Sequence, residues 1–175
     1  TLAPVPGAIN AVGAEPVFVG VTPDLTIDLD DLSAKADQAD VLLLSHMRGH
    51  IVDMDALMAI AAAHNLTVVE DCAHTMGAAW RGTPSGRHGV IGCYSTQTYK
   101  HANSGEGGFA ITDDADLAAK MILMSGSYML YNRHGAAPEA DVMAAHAGEA
   151  PNMSGRMDNL RAAILRPQLR AMADN

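Results

Sequence analysis

The sequence predicts an α/β fold with a mostly parallel β-sheet. Two apolar runs, VLLLSH (41–46) and TVVED (67–71), have the pattern of buried strands. Between them, apolar residues recur at helical spacing from Met54 to His64. A strand, a helix and a second strand in this order are typical of a crossover between parallel strands, and similar alternation continues along the chain.

The segments before residue 41 predict two helices and one strand. Residues 8–13 (AINAVG) have the pattern of a helix end closed by Gly13. PVFVGV (16–21) is almost entirely apolar and predicts a short buried strand. Asp28 is a suitable N-cap for a helix over Asp28–Ala36, because its side chain can accept hydrogen bonds from the first N–H groups of that helix.

The helix between the two apolar runs carries signals at both ends. Asp53 stands at its N-cap position, and Asn65 follows its last apolar residue. Leu57, Met58, Ile60 and Ala61 supply its apolar face. These signals predict a helix that begins just after Asp53 and ends before Asn65.

The second half of the chain predicts fewer regular elements. The pattern indicates strands at 90–96 (VIGCYST) and 108–112 (GFAIT), and a helix over Asp114–Met124. From Ser125 to Met153 no period is visible, so we expect a long loop with at most one short helix. Arg156–Ala173 predicts a helix that is kinked or broken at Pro167.

Composition is typical of an ordinary globular protein. The 175 residues, 18% of them charged, are enough for one domain with a sizeable core. The net charge of −9 disfavours nucleic acid or an anionic membrane as the main partner, and no apolar stretch approaches the ~20 residues that span a bilayer. Cys72 and Cys93 lack the spacing of a zinc site or of a disulfide framework. We therefore expect a cytoplasmic protein with no metal site.

Chemistry is expected beyond the carboxyl ends of the strands, where parallel sheets bind their ligands. That rule singles out three segments: Ser45–His50, Asp71–His74 and Ser95–Gly108. All three are unusually polar or glycine-rich. The candidate site residues therefore come from these three places.

Lys100 is the first candidate. The alternative is a solvated surface residue, which is what most lysines are. Its neighbours in STQTYKHANSGEGG (95–108) are hydroxyls, amides and glycines, the usual lining of a phosphate site. A lysine held and partly desolvated in such a loop can form an imine with an aldehyde.

Asp71 is the second candidate, at the end of TVVED. Standing alone, it would more commonly be an aspartate that caps the turn after a strand. The functional alternative is a carboxylate paired with a protonated pyridine nitrogen, which keeps the ring cationic and able to withdraw electrons. His74 follows at three residues and could bond a phenolic oxygen of the same ring. Ala73 is small enough for a flat ring to stack on it closely.

The combination of these features is more specific than any one of them. A carboxylate follows one strand, Ser95 and Lys100 follow the next, and the glycine turn GEGG (105–108) leads into a third. In this respect the sequence resembles the sugar aminotransferases of the DegT/DnrJ/StrS family, which have the aspartate-aminotransferase fold. The resemblance is carried by HMRGHIVDMDALMAIAAAHNLTVVEDCAHTMGA (46–78), GVIGCYSTQTYKHANSGEGGFAITDD (89–114), YNRHG (131–135), RMDNLRAAILRPQL (156–169) and AVGAEPVFVGVTPD (11–24). It covers most of the chain outside Ala136–Met153.

The resemblance implies a fold and an assembly. It implies the three-layer, mostly parallel large domain of an enzyme that depends on pyridoxal 5′-phosphate, with residues 1–175 forming part of that cofactor-binding domain. A preceding segment and a C-terminal small domain are expected outside these residues. The resemblance also implies a homodimer with active sites at the subunit interface, where an Asn usually reaches the neighbouring subunit's phosphate. The aligned residue here is Ser154, with Asn152 two positions earlier.

The resemblance also implies roles for individual residues. Lys100 matches the lysine that holds the cofactor covalently, and Asp71 matches the partner of the pyridine nitrogen. The remaining matches are His74 near the ring's oxygen, Ser95 at the phosphate and Gln97 beside the cofactor. Some members of the family have histidine in place of the lysine and catalyse a dehydration, so Lys100 favours transamination.

The function expected from this resemblance is transamination. The amino donor would be glutamate or glutamine, and the acceptor a keto-sugar, often nucleotide-linked, or a keto-polyol. The alternative is a catalytically incomplete relative that binds cofactor or a partner subunit without turnover. A third possibility, an unrelated nucleotide-binding α/β protein, is disfavoured because neither a Walker nor a Rossmann fingerprint is present.

Overall fold

The computed structural model of the protein describes residues 4–126 and 130–172. These residues form two compact units, Thr1–Tyr94 and Ser95–Asn175. The strands are β1 (Val41–Ser45), β2 (Thr67–Asp71), β3 (Ala79–Trp80), β4 (Thr83–Pro84), β5 (Ile91–Ser95) and β6 (Gly108–Ile111). The α-helices are α1 (Pro4–Ala11), α2 (Leu29–Lys35), α3 (Met54–Ala63), α4 (Ala115–Ser125), α5 (Ala140–Ala145) and α6 (Asn159–Ala171).

The first unit is built on a parallel sheet, as the sequence predicts. Strand β2 lies between β1 and β5 and runs parallel to both. The register places Ser45 beside Asp71, and Asp71 beside Cys93. The carboxyl ends of the three strands therefore lie side by side, which is the arrangement that gathers polar residues at one edge of a sheet.

The core of the first unit lies between the sheet and helices α2 and α3. On β1 the side chains of Leu42 and Leu44 are buried, while the intervening Leu43 is only half-buried. The helical face opposite them is equally apolar. The buried residues of this cluster are Leu32, Leu42, Leu44, Val52, Met54, Leu57, Ala61 and Val68.

The predicted helix ends of the first unit are confirmed. Asp28 caps α2 by accepting hydrogen bonds from the Asp30 and Asp31 N–H groups at 3.0 and 3.1 Å. Asp53 caps α3 through the Ala56 N–H at 3.0 Å. Asn65 follows α3 in a left-handed conformation, with φ of 56°, which a short polar side chain tolerates. Each cap satisfies N–H groups that the helix itself leaves unbonded.

The strand predicted at 16–21 does not form. Only Val21 makes a bridge, to Ile27, and residues 16–20 belong to no strand. Helix α2 supplies its hydrogen bonds instead: Asp31 Oδ2 accepts from the Gly20 N–H at 2.6 Å, and Lys35 Nζ donates to the Phe18 carbonyl at 2.8 Å. Apolar composition alone therefore gave a wrong prediction here, because side chains of a helix satisfy this backbone.

A short hairpin was not predicted. Strands β3 and β4 pair antiparallel, with Trp80 opposite Thr83. The two residues between them, Arg81 and Gly82, have φ of 47° and 87°. Two positive φ values in a two-residue connection are the geometry of a tight hairpin turn, and glycine at the second position is the signal that was available in the sequence.

The second unit contains β6, α4, α5 and α6. Helix α4 is confirmed with both of its ends: Asp114 accepts from the Leu117 N–H at 3.0 Å, and Gly126 closes the helix with φ of 74°. Its buried residues are Ala119, Ile122 and Leu123. In the ranges that the structure describes, no helix combines the length and the apolar character needed to cross a bilayer.

The end of the chain differs from its prediction in detail. The loop predicted from Ser125 to Met153 contains one short helix, α5, as expected, and a 3-10 turn at Tyr131–Arg133. Helix α6 begins at Asn159, after its N-cap Asp158, and continues through Pro167 without a break. Pro167 has no N–H, so the helical hydrogen bond to the carbonyl of Ala163 is missing. Ala163 is exposed, so solvent can bond that carbonyl instead.

His146 joins α5 to α4. Its Nε2 lies 2.7 Å from Asp116 Oδ1, and its Nδ1 lies 3.0 Å from Glu149 Oε2. The hydrogen bond to Asp116, and then that to Glu149, raises the pKa of His146 above its usual value, against an opposing effect of burial and of Lys120. Because both ring nitrogens face carboxylates, the doubly protonated ring is the form that holds the two helices together.

We expect the α4–α5 contact to weaken as the pH rises. A raised pKa in the folded state means that the stabilisation is complete below the unfolded pKa of about 6.5 and is lost as the pH rises through the folded pKa. Hydrogen exchange of the α5 amides, corrected for intrinsic rates, should therefore accelerate across that range. His146→Gln should abolish this acceleration, while His134→Gln, an exposed histidine of the same unit, should leave it intact. An equal response in both variants would contradict the assignment.

Candidate active site

The carboxylate of Asp71 is held in place at the end of β2. Ser45 Oγ donates to its Oδ2 at 2.9 Å, and the Ala73 N–H donates to its Oδ1 at 3.1 Å. The side chain is half-buried. Each oxygen thus has one donor from the protein and retains a lone pair that can accept from a ligand. The predicted meeting of Ser45–His50 with Asp71–His74 at one sheet edge is confirmed.

His74 is held by the loop that follows β1. Its Nδ1 accepts a hydrogen bond from the Arg48 N–H at 3.0 Å. That loop is unusual, since Arg48 and Gly49 have φ of 57° and 83°. A Cβ at residue 49 would lie 3.1 Å from the His74 carbonyl oxygen, which is tighter than usual packing allows. A nitrogen that accepts an N–H carries no proton, so this contact places the proton of the neutral ring on Nε2.

Cys72, between these residues, is not suited to nucleophilic chemistry. Its side chain is fully buried. Burial, together with the negative charge of Glu70, raises the pKa of the thiol to about 12. Cys72 therefore stays protonated at neutral pH and packs as a small apolar residue, because only the thiolate is an effective nucleophile.

Glu70 is the most heavily hydrogen-bonded side chain of the first unit, and sequence reasoning missed it. Its carboxylate is fully buried beneath the sheet edge. Oε1 accepts from the N–H groups of His88 at 2.8 Å and Gly89 at 2.7 Å. Oε2 accepts from the N–H of Gly86 at 2.8 Å and lies 3.0 Å from Nε2 of His46. A signal was available: alternation along β2 puts residue 70 on the same inward face as the buried Val68.

The Glu70 carboxylate is ionised despite its burial. Burial by itself raises its pKa, but the hydrogen bonds from His46 and from the three backbone N–H groups outweigh it and lower the pKa to about 2. His46, Glu70 and Cys72 offer ligand atoms within 4.8 Å of one another, a spacing also compatible with a metal ion. Because four donors already bond the two Glu70 oxygens, we assign this cluster to holding the loops at residues 46 and 86–89.

Lys100 lies in a loop whose turns are closed by its own residues. The Gln97 N–H donates to Ser95 Oγ at 3.3 Å, and Gln97 Oε1 accepts from the Tyr99 N–H at 3.0 Å. The Lys100 N–H donates to the Gln97 carbonyl at 2.9 Å, which makes residues 97–100 a tight turn. Lys100 is half-buried, and no residue that the structure describes forms an ion pair with it.

The two ends of this loop are joined by paired hydrogen bonds. The Thr96 N–H donates to the Gly107 carbonyl at 2.9 Å, and the Ser104 N–H donates to the Thr96 carbonyl at 2.8 Å. The hydroxyls of Thr96 and Ser104, both buried, bond each other at 2.9 Å. Gly107 has φ of 136°, and a Cβ there would lie 2.9 Å from Thr96 Oγ1. The glycines at 105–108 thus form a tight turn that closes the loop.

The two candidates for contact with a neighbouring subunit lie in one turn. Asn152 Oδ1 accepts from the Ser154 N–H at 2.9 Å, and the Met153 N–H donates to the Met124 carbonyl at 2.8 Å. Ser154 has φ of 51°, a left-handed conformation in which asparagine is more common than serine. Both side chains are exposed. The backbone thus has the shape that suits Asn at residue 154, although serine stands there.

The predicted site residues are divided between the units. Asp71, Ala73 and His74 belong to the first unit, and Ser95, Gln97 and Lys100 belong to the second. The fold is the α/β fold of pyridoxal-phosphate-dependent aminotransferases. The structure of the aminotransferase from Psychrobacter cryohalolentis shares it with a TM-score of 0.78 and 32% identity, over 96% of this chain and 43% of that one. The expected fold class is confirmed.

The chain belongs to the DegT/DnrJ/EryC1/StrS aminotransferase family, whose model matches residues 3–175. It is 40% identical over 116 residues to the L-glutamine:scyllo-inosose aminotransferase of Streptomyces griseus, covering 65% of this chain and 27% of that protein. It is 39% identical over 129 residues to the GDP-perosamine synthase of Caulobacter vibrioides, covering 72% and 34% respectively. The matched part thus spans about a third of the length of these relatives.

Proposed function

We propose that the protein containing these residues transfers an amino group from glutamine or glutamate to a keto-sugar or keto-polyol, with pyridoxal phosphate as cofactor. Its family supports amino transfer. The names of the two relatives support the substrates, since one uses glutamine and an inosose and the other makes an amino sugar. These relatives favour turnover over the alternative of a binding module without activity. The proposal includes a cytoplasmic homodimer in which residues 1–175 belong to the large domain.

The observation that carries the proposal is the oriented carboxylate of Asp71. Two protein donors fix its oxygens at the end of a parallel strand, and each oxygen can still accept a further hydrogen bond. A carboxylate oriented in this way suits a protonated pyridine nitrogen, because that nitrogen donates its hydrogen bond in one fixed direction. His74 lies three residues further along the chain, at the position that the resemblance places near an oxygen of the ring. The residues present therefore suit pyridoxal phosphate.

When bound, pyridoxal phosphate supplies an electron sink for the carbon that carries the amino group. Asp71 keeps the positive charge on the ring nitrogen by pairing with it. His74 would lie near the oxygen of the ring and help to orient it, and Ala73 would leave room for its flat face. Ser95 Oγ would bind the phosphate, and Gln97 would lie beside the cofactor.

Lys100 has two tasks in this proposal. Its amine holds the cofactor before the donor arrives. When free, the same amine would carry a proton to and from the reacting carbon of the substrate, first as a base and then as an acid. Among the described residues no carboxylate forms an ion pair with Lys100, so no such contact restrains its side chain.

Reductive trapping tests the proposal. The full-length protein, loaded with pyridoxal phosphate and treated with borohydride, should carry the label on Lys100 alone. Lys35 and Lys120 are the other two lysines of this chain and serve as internal controls in the same peptide map. Glutamine added before the reductant should prevent labelling and release the aminated cofactor. A label on another lysine, or none at all, would contradict the assignment.

A further inference from the structure

Gln168 on α6 bonds the loop that carries Lys100. Its Nε2 donates to the Asn103 carbonyl at 2.7 Å, and its Oε1 accepts from the Asn103 N–H at 3.0 Å. One side-chain amide therefore pairs with both backbone groups of a single residue, as a neighbouring strand would. Asn103 lies only three residues after Lys100.

The orientation of Gln168 is itself fixed. The second hydrogen of its Nε2 donates to the Ile164 carbonyl, one helical turn earlier, at 2.9 Å. Both donors and the acceptor of the amide are thus engaged, and only glutamine offers this set at this length. Glutamate lacks both donors, and methionine, which has a similar shape, lacks all three groups.

The loop that carries Lys100 is held in two ways, at its two ends and at Asn103. Its two ends are joined by the hydrogen bonds of Thr96 and Ser104 described above, and Ala102 is fully buried. Gln168 is the contact at Asn103 that links the loop to a long helix. Without the Gln168 contact, residues 101–103 would lose their hydrogen bonds to helix α6. Lys100, which directly precedes them, would then be held less firmly.

We propose that Gln168 is a positioning residue for Lys100, acting through the backbone of Asn103. It touches neither substrate nor cofactor in this proposal. Two hydrogen bonds hold the backbone of Asn103, which lies three residues after Lys100, the last residue of the turn at 97–100. The inference rests on the proposed function only for the role that it gives to Lys100.

Hydrogen exchange tests the structural half of the inference in the full-length protein without cofactor. In Gln168→Met the Asn103 amide should exchange at least about tenfold faster than in the wild type, because its acceptor is gone. Gln168→Glu keeps that acceptor and should give an intermediate rate. Arg166→Met changes an exposed residue of the same helix and is the matched control. An unchanged Asn103 rate, or an equal acceleration throughout α4, would overturn the inference.

Chemical labelling tests the positioning half. Trace acetylation of the cofactor-free protein should modify Lys100 at least about twofold faster in Gln168→Met, since the loosened loop exposes its half-buried amine. Lys35 and Lys120 should react as in the wild type. In the loaded enzyme the same variant should lower kcat with little change in KM, and Gln168→Glu should restore part of the loss. Unchanged Lys100 labelling would overturn the positioning role, whereas a failure of reductive trapping at Lys100 would overturn the proposed function instead.

Discussion

Glu70→Gln is expected to destabilise the protein by about 3 kcal/mol, because the amide leaves N–H donors of this network without an acceptor, at about 1–3 kcal/mol for each buried donor. Each carboxylate oxygen accepts two hydrogen bonds, and all four donors are N–H groups. An amide in place of the carboxylate must direct its NH₂ group at one of these two pairs. Turned one way, the NH₂ group faces the His88 and Gly89 N–H groups. Turned the other way, it faces the Gly86 N–H, while His46 Nε2 can accept from it if the ring proton moves to Nδ1. No rotation of the side chain removes this conflict, so the loss is large although the shape is conserved.

The same carboxylate makes stability depend on acid. The pKa of Glu70 is lowered to about 2 in the folded protein, from an ordinary value of 4.5. A lowered pKa stabilises the fold above the unfolded value, and this stabilisation is lost as the pH falls from about 4.5 towards 2. With about 1.4 kcal/mol for each pKa unit, the contribution at neutral pH is on the order of 3 kcal/mol. Glu70→Gln should therefore flatten the acid limb of the stability curve as well as lower its plateau.

Urea unfolding of the full-length protein at several pH values measures both effects. Glu15→Gln is the matched control, because Glu15 is an exposed carboxylate of the same unit. It should change the free energy of unfolding by no more than about 0.5 kcal/mol. If Glu70→Gln lowered stability no more than this control, the hydrogen-bond network at Glu70 would be wrong.

Predictions from the sequence succeeded where the determining interactions are local. Asp28 and Asp53 each cap a helix through N–H groups two or three residues away, so residue type and spacing are sufficient. The strand at 67–71 was predicted for a similar reason, because its apolar run and its polar end lie within five residues. Asp71 was placed at the strand end by that pattern alone.

Predictions failed, or were not made, where distant residues supply the partners. Residues 16–21 are as apolar as a strand, yet they bond side chains of α2. The role of Glu70 depends on N–H groups 16 to 19 residues further along the chain. Gln168 bonds a residue 65 positions earlier. No periodicity within a short window contains such contacts, since they exist only after the chain has folded.

Lys100→Ala is expected to lower the rate of amino transfer from glutamine by about 10²–10⁴-fold, which is the usual contribution of a positioned acid–base group. The proton has to move between two carbon atoms, and no residue predicted for the site other than Lys100 has an amine. In the proposed site Asp71, His74 and Ser95 would still bind the cofactor, so the loss should fall on kcat rather than on cofactor affinity. Single-turnover absorbance measurements on the full-length protein separate these two quantities.

The control and the rescue distinguish a lost amine from a damaged fold. Lys120→Ala removes an exposed lysine of the same unit and should leave the rate within about twofold of the wild type. A small primary amine added to Lys100→Ala should restore part of the rate, because it can enter the space left by the side chain and carry the same proton. A rate that is insensitive both to the substitution and to added amine would show that another group moves the proton. The proposed role of Lys100 as the base would then be wrong, even if the cofactor still bound beside Asp71.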